Sequence, residues 1–227
     1  MGVRAQISDT WSMRTQGWPR LLPMRLPKPP GRRWKFMVSA LALLVLGAGP
    51  SFAEDGGLWP AGPYMLSDEL GDFTISAVGG MGTADDPIVV FEEFRSATPA
   101  TLTIRTAMRR MPRLPGEGQL MVLHVRLDIL NNSGHPWIEF EFELQEAPGR
   151  PSVFGDGLSF DQRNQSPETI VSSAFSRFDR KFEPYDRLLF SGGQVDPLRT
   201  VSFQFVITDF TPRWTFYLVQ DPRIASS

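Results

Sequence analysis

The chain has 227 residues, 23 of them basic and 25 acidic, and contains no cysteine. Eight basic residues and one acidic residue fall in 1–53, which leaves 15 basic against 24 acidic residues beyond Ala53, a formal charge of −9. So acidic a surface repels phosphate backbones and anionic lipid, which argues against nucleic acid and membrane partners; the lack of cysteine removes disulfides, thiol nucleophiles and thiolate zinc sites.

Residues 1–30 carry Trp11, Trp18 and the cluster Pro27-Lys-Pro-Pro30 without hydrophobic periodicity. Prolines so spaced exclude a helix, and the segment reads as an over-extended start with Met24 as the initiator. Arg32, Arg33 and Lys35 then precede the apolar run Phe36–Gly47. That run is too short for a membrane span, which needs about 20 residues. Gly49 and Pro50 break it, and Ser51-Phe52-Ala53 places small residues at −3 and −1 of a cleavage site. A positive n-region, an apolar core and an accepting site in this order predict a secretory signal peptide cut before Glu54. The mature chain is then periplasmic or extracellular, with no stable membrane span left.

Residues 54–71 form a lead-in rich in Gly and Pro, and 72–222 read as one domain followed by a short tail, 223–227. Within the domain, period-two alternation recurs between turn signals. It covers 72–78, 87–94, 100–108, 119–130, 137–144, 157–160, 187–190, 199–208 and 214–219; 168–178 fits either a helical turn or a strand. In 137–144, Ile138, Phe140, Phe142 and Leu144 take one face and Glu139, Glu141 and Glu143 the other. Such strict alternation describes a strand with one buried and one wet face. Asn131-Asn-Ser-Gly-His-Pro136 joins it to 119–130, and the pair reads as a central hairpin with a wide turn. Fifteen of the 17 phenylalanines lie beyond Ala53, enough for a core without disulfides. The expected fold is all-β: an antiparallel sandwich of about 8–10 strands. Leu123, Val125, Leu127, Ile138, Phe140, Phe142, Val201, Phe203, Phe205 and Ile207 are its expected shared core.

Asn131-Asn-Ser-Gly-His-Pro-Trp137 with the Phe140/Phe142/Leu144 alternation, Phe190-Ser-Gly-Gly193 with Phe203-Gln-Phe205, and Phe216-Tyr-Leu-Val-Gln-Asp-Pro222 carry a resemblance. Over 119–222 the chain resembles secreted bacterial β-sandwich proteins of the PEP-CTERM type. The resemblance implies an exported sandwich. The Pro-Glu-Pro sorting signal, apolar helix and basic tail of that group do not occur before Ser227, so a soluble exported relative is expected.

Candidate chemistry is sparse. His124 and His135 are the two histidines, eleven positions apart, and a zinc site would need carboxylates in addition. Ser191 precedes Gly192-Gly193, but no Gly-x-Ser-x-Gly elbow positions a nucleophile. Asp85, Asp86, Asp156 and Asp161 are loop acids of the sort that bind calcium in secreted sandwiches; without a calcium-loop spacing they read better as solvated turn formers. Glu139, Glu141 and Glu143 stack like charges, with Arg126 available to neutralise one, and read as a wet sheet face. Trp59, Tyr64, Trp137, Tyr185, Trp214 and Tyr217 could supply a sugar-stacking platform, although Trp137 and Trp214 fit a core. No catalytic residue, metal or cofactor is assigned. The expectation is an exported non-enzymatic module that binds a protein or glycan in the envelope or matrix; the alternative is a secreted, carboxylate-based hydrolase.

Overall fold

The period-two segments become strands because alternate side chains on an extended backbone point to opposite faces, and here one face of each can be buried. The computed structural model describes residues 57–107, 120–153, 155–161, 167–180 and 184–225; the signal-peptide reading of 1–53 lies outside them. Fourteen strands run through the described residues: β1 (Leu58–Ala61), β2 (Tyr64–Ser67), β3 (Phe73–Gly79), β4 (Ile88–Phe94), β5 (Ala100–Thr106), β6 (Met121–Asn131), β7 (Trp137–Ala147), β8 (Arg150–Pro151), β9 (Leu158–Phe160), β10 (Val171–Ser172), β11 (Phe175–Asp179), β12 (Arg187–Gly193), β13 (Thr200–Asp209) and β14 (Thr215–Ile224). A single 3-10 turn, Pro167–Thr169, precedes β10.

The strands make two packed sheets, the all-β sandwich expected. Sheet I has the order β10-β13-β6-β4-β3, with β9 also on β13; sheet II has the order β1-β2-β5-β14-β7-β12-β11, with β8 on β7. Pairing is antiparallel except between β4 and β6, which run parallel. The reason is topological: the chain leaves β4, crosses to sheet II as β5 and returns to sheet I as β6. Sheet II also begins earlier than the domain boundary at 72. Its edge strands β1 and β2 come from the Gly/Pro-rich lead-in, and Trp59 and Tyr64 pack into the core there instead of facing solvent.

Between the sheets lies an aromatic interior. Trp137, Phe94, Phe140, Phe142, Phe190, Phe203, Phe205 and Phe216 are all fully buried. Phe142 sits within 6.0 Å, centroid to centroid, of Phe140, Phe190, Phe203 and Phe205. Nine of the ten expected core residues are buried; Ile138 is not. Opposite it the β7–β14 register slips between Arg223 and Ile224, so that Ile224 pairs with Trp137 and Arg223 with Glu139. This bulge reverses the alternation: Trp137 turns inward and Ile138 outward. Trp214, expected in the core, is 58% exposed at the start of β14.

The expected hairpin of 119–144 is also replaced. β6 belongs to sheet I and β7 to sheet II, so Asn132–Pro136 arches across the sandwich. Alternation cannot separate these cases, because two inward faces look alike whether the strands lie side by side or across from one another; the roughly 10 Å between sheets is within reach of a five-residue link. Asn131 pins the arch. Fully buried, its amide donates to the carbonyls of His135 and Val195, both at 2.9 Å, and its Oδ1 accepts from the Ser133 amide and hydroxyl. The Trp137 indole in turn donates to Ser133 Oγ at 3.1 Å. Gly134 has φ 79°, and a side chain there would meet nothing within 4 Å. Gly134→Val is therefore expected to cost only the backbone strain, about 1–3 kcal/mol. His135, exposed in the arch, is expected to tolerate Ala within about 0.5 kcal/mol. One thermal melt of both variants checks this; equal midpoints would mean that position 134 carries no positive-φ strain.

On the outer face of sheet II the glutamate stripe is not a bare wet surface. Glu141 and Glu143 are 7% and 9% exposed. Arg187 of β12 reaches Glu143 at 2.5 Å and Glu141 at 3.9 Å; Arg223 of β14 reaches Glu141 at 2.8 Å and Glu139 at 3.8 Å. Arg126 does not take part: it stands on sheet I and pairs with Asp128 at 3.0 Å.

Candidate functional site

At the end of the sandwich opposite the Asn132–Pro136 arch, β7 finishes, β12 and β14 start and β13 finishes. Four carboxylates converge on this end from different elements: Glu146 in β7, Asp156 in the turn between β8 and β9, Asp186 just before β12, and Asp209, the last residue of β13. Asp156 is the hub, since its negative charge acts on each of the other three.

Local chemistry fixes the hub. The Asp156 carboxylate accepts from Ser152 Oγ at 2.7 Å, from the Val153 amide at 2.9 Å and from the Leu158 amide at 3.1 Å, a side-chain-closed turn that Gly157 completes at φ 95°. Backbone bonds tie this turn to both neighbours. The Asp186 amide donates to the Ser152 carbonyl, the Phe210 amide to the Gly157 carbonyl, and the Thr211 hydroxyl to the Asp156 carbonyl. Tyr185 bridges Val153 across the same turn.

Electrostatics follow from this crowding. Burial, with the Asp156 charge added, pushes the Asp186 carboxyl up to about 6 against a bond from Ser159 and the charge of Arg180. Asp209, 1% exposed, is raised by burial, while bonds from the Thr211 and Arg213 amides favour its charged form. Glu146 is raised by burial and then by Asp156, although Arg213 pairs with it at 2.8 Å. One oxygen each of Asp186 and Glu146 is buried without a hydrogen-bond partner. Such desolvated, like-charged groups are costly to assemble, and they concentrate at sites that do something with protons or hydroxyls. Two exposed aromatic residues adjoin these positions in the chain: Tyr185, 43% exposed, precedes Asp186, and Trp214, 58% exposed, follows Arg213. The Arg187 guanidinium lies 5.2 Å from the Tyr185 ring centre.

Of the expected calcium residues, only Asp156 belongs to this cluster. Asp85 and Asp86 lie exposed in the separate turn between β3 and β4. Asp161 follows β9 and accepts the Thr169 hydroxyl at 3.3 Å. Among the described residues, no group of three or more His, Asp or Glu side chains is disposed to hold a metal ion. Ser191 lies inside β12, opposite Arg177 of β11. His124 lies on β6 opposite Val206 of β13. Of the proposed aromatic platform, Trp59, Tyr64 and Trp137 are core residues, which leaves Tyr185 and Trp214 as the exposed members. Glu146, Asp186 and Asp209 carry no signal in sequence spacing, because 63 positions and the whole of β8 to β12 separate the first from the last.

The fold thus defines the class, an all-β two-sheet sandwich. No protein-family model, curated protein or solved structure matches the chain.

Proposed function

We propose that the chain is an exported, non-enzymatic β-sandwich module of the periplasm or cell exterior, and that it binds glycan at the carboxylate end. One observation carries the reading: Asp156 acts on Glu146, Asp186 and Asp209 at one end of the sandwich, and the exposed Tyr185 and Trp214 adjoin Asp186 and Arg213 in the chain. Ring faces accept the C–H face of a sugar, and carboxylates accept hydrogen bonds from its hydroxyls. A −9 mature chain does not suit a nucleic-acid or anionic-lipid ligand, and the signal-peptide features and the resemblance over 119–222 support export. The test is a titration of the full chain against a panel of neutral and basic oligosaccharides. A bound member is expected to lose roughly tenfold or more in affinity, about 1.4 kcal/mol, with Trp214→Ala and again with Asp186→Asn. Binding that both variants retain would move the site elsewhere, and a panel with no bound member would remove the glycan.

A second reading, a carboxylate-based hydrolase, draws on Asp186. A carboxyl pushed up to about 6 beside the ionisable Asp156 could act as the acid of an acid–base pair. New reducing ends released by the wild type and not by Asp186→Asn would favour it.

A further inference from the structure

A second buried carboxyl lies far from that end, in the interior between the sheets. Glu92 of β4 points inward in line with Ile88, Val90 and Phe94 and is 3% exposed. Its neighbours across the sheet are Ile75 of β3 and Ile129 of β6. From sheet II, Gln220 of β14 faces it, itself fully buried between Ala100 of β5 and Phe142 of β7. Neither oxygen of Glu92 and neither polar atom of Gln220 has a well-aligned hydrogen-bond partner, although the Gln220 amide lies near enough to favour the charged form of Glu92 against the larger effect of burial. The one charge acting on Glu92 is another carboxylate, Asp68 in the link between β2 and β3, whose Oδ2 accepts the Ile75 amide at 2.9 Å. Arg126, Asp128 and Glu93 of sheet I and Glu141, Asp221 and Arg223 of sheet II alternate to the outer faces, so among the described residues no cation faces this carboxyl.

An ionised carboxylate so placed would be an unpaired buried charge, the costliest arrangement a core can hold. A neutral carboxylic acid is different. It presents one donor and one acceptor, and a primary amide presents the same pair in reverse, so Glu92 and Gln220 can join by two complementary bonds after small rotations. A carboxylate could use only the amide N–H and would set its second oxygen against the amide carbonyl.

We propose that Glu92 and Gln220 form a proton-held latch between the sheets, and that loss of the Glu92 proton opens the β3–β4 side of the sandwich. Position favours this side: β3 is an edge strand whose register already slips between Ile75 and Ala77. Burial pushes the Glu92 carboxyl up to about 8. From the usual carboxylate range up to that value, the folded chain holds a proton that the unfolded chain does not. The latch is therefore intact at mildly acidic pH and is lost as pH rises through about 8.

Carboxyl-labelled glutamate NMR of the full chain tests the proton directly: one signal is expected to titrate near pH 8 and to be missing from Glu92→Gln. Denaturation at a series of pH values tests the linkage. Relative to Glu92→Gln, the wild-type folding constant is expected to fall about tenfold per pH unit between roughly pH 5 and 8. Hydrogen exchange at pH 9, corrected for intrinsic rates, tests the opening: amides of β3 and β4 are expected to lose protection in the wild type and to keep it in Glu92→Gln. No wild-type glutamate titrating above pH 7, parallel pH profiles, or protection lost equally in β6 and β7 would each overturn the latch. The NMR measurement needs no variant, so it stands even if Glu92→Gln fails to fold.

Discussion

Phe142→Ala is expected to destabilise the domain by about 3–5 kcal/mol, the cost of deleting a fully buried aromatic ring. Phe142 has no exposed surface and its ring meets four others, two in its own sheet and two on β13 of the facing sheet. These neighbours come from three strands in two sheets, so they cannot close on the space together, and the effect belongs near the top of that range. Urea denaturation checks it by a lower midpoint at an unchanged slope. Ile138→Ala, four positions away on the same strand, is the control. The bulge places Ile138 outward at 37% exposure, and its change is expected to stay within about 1 kcal/mol. Similar losses for both variants would mean that the alternation runs unbroken and that no bulge exists.

Arg187→Met is expected to cost about 3 kcal/mol at neutral pH. The Met side chain keeps most of the packing of the Arg stem but leaves Glu143 and Glu141 mostly buried with one fewer cation. Glu143 has 11% of its side chain exposed and Glu141 has 9%, whereas Arg187 keeps 32%, which sets the effect at the low end of the range for a broken buried pair. The loss is expected to shrink as pH falls, because burial raises the Glu141 carboxyl above its usual range and a protonated Glu141 no longer needs a cation. A double-mutant cycle of Arg187→Met with Glu143→Gln measures the pairing. A coupling energy near zero would return the glutamate stripe to a solvated face.

The two experiments separate what alternation can and cannot reveal. It located β3 to β7, β9 and β12 to β14 within a few residues, because a half-buried strand must repeat with period two, and it left the region of β11 open between a helical turn and a strand. It also selected the core phenylalanines correctly. It failed at Ile138, since a bulge is a relation between two strands and leaves no mark on one of them. Trp59 and Tyr64 belong to the expected sugar-stacking set and lie in the Gly/Pro-rich lead-in, yet four-residue strands fit between those breakers and add an edge to sheet II. The Glu139–Glu141–Glu143 stripe was visible, but its neutralising partners come from 187 and 223, distant in sequence and adjacent only after β12 and β14 flank β7.

By itself, then, the sequence determined the fold class, most of the strand positions, most of the core and the charge beyond Ala53, because these depend on local periodicity and composition. Only the tertiary structure decided that 119–144 is an arch between sheets, that β4 and β6 run parallel, that Glu92 faces Gln220 across the core and that Glu146, Asp156, Asp186 and Asp209 share one end. The physical reason is common to all four. Each depends on which strands become neighbours, and two-faced strands of nearly equal pattern can be paired in many ways until side-chain packing across the two sheets selects one.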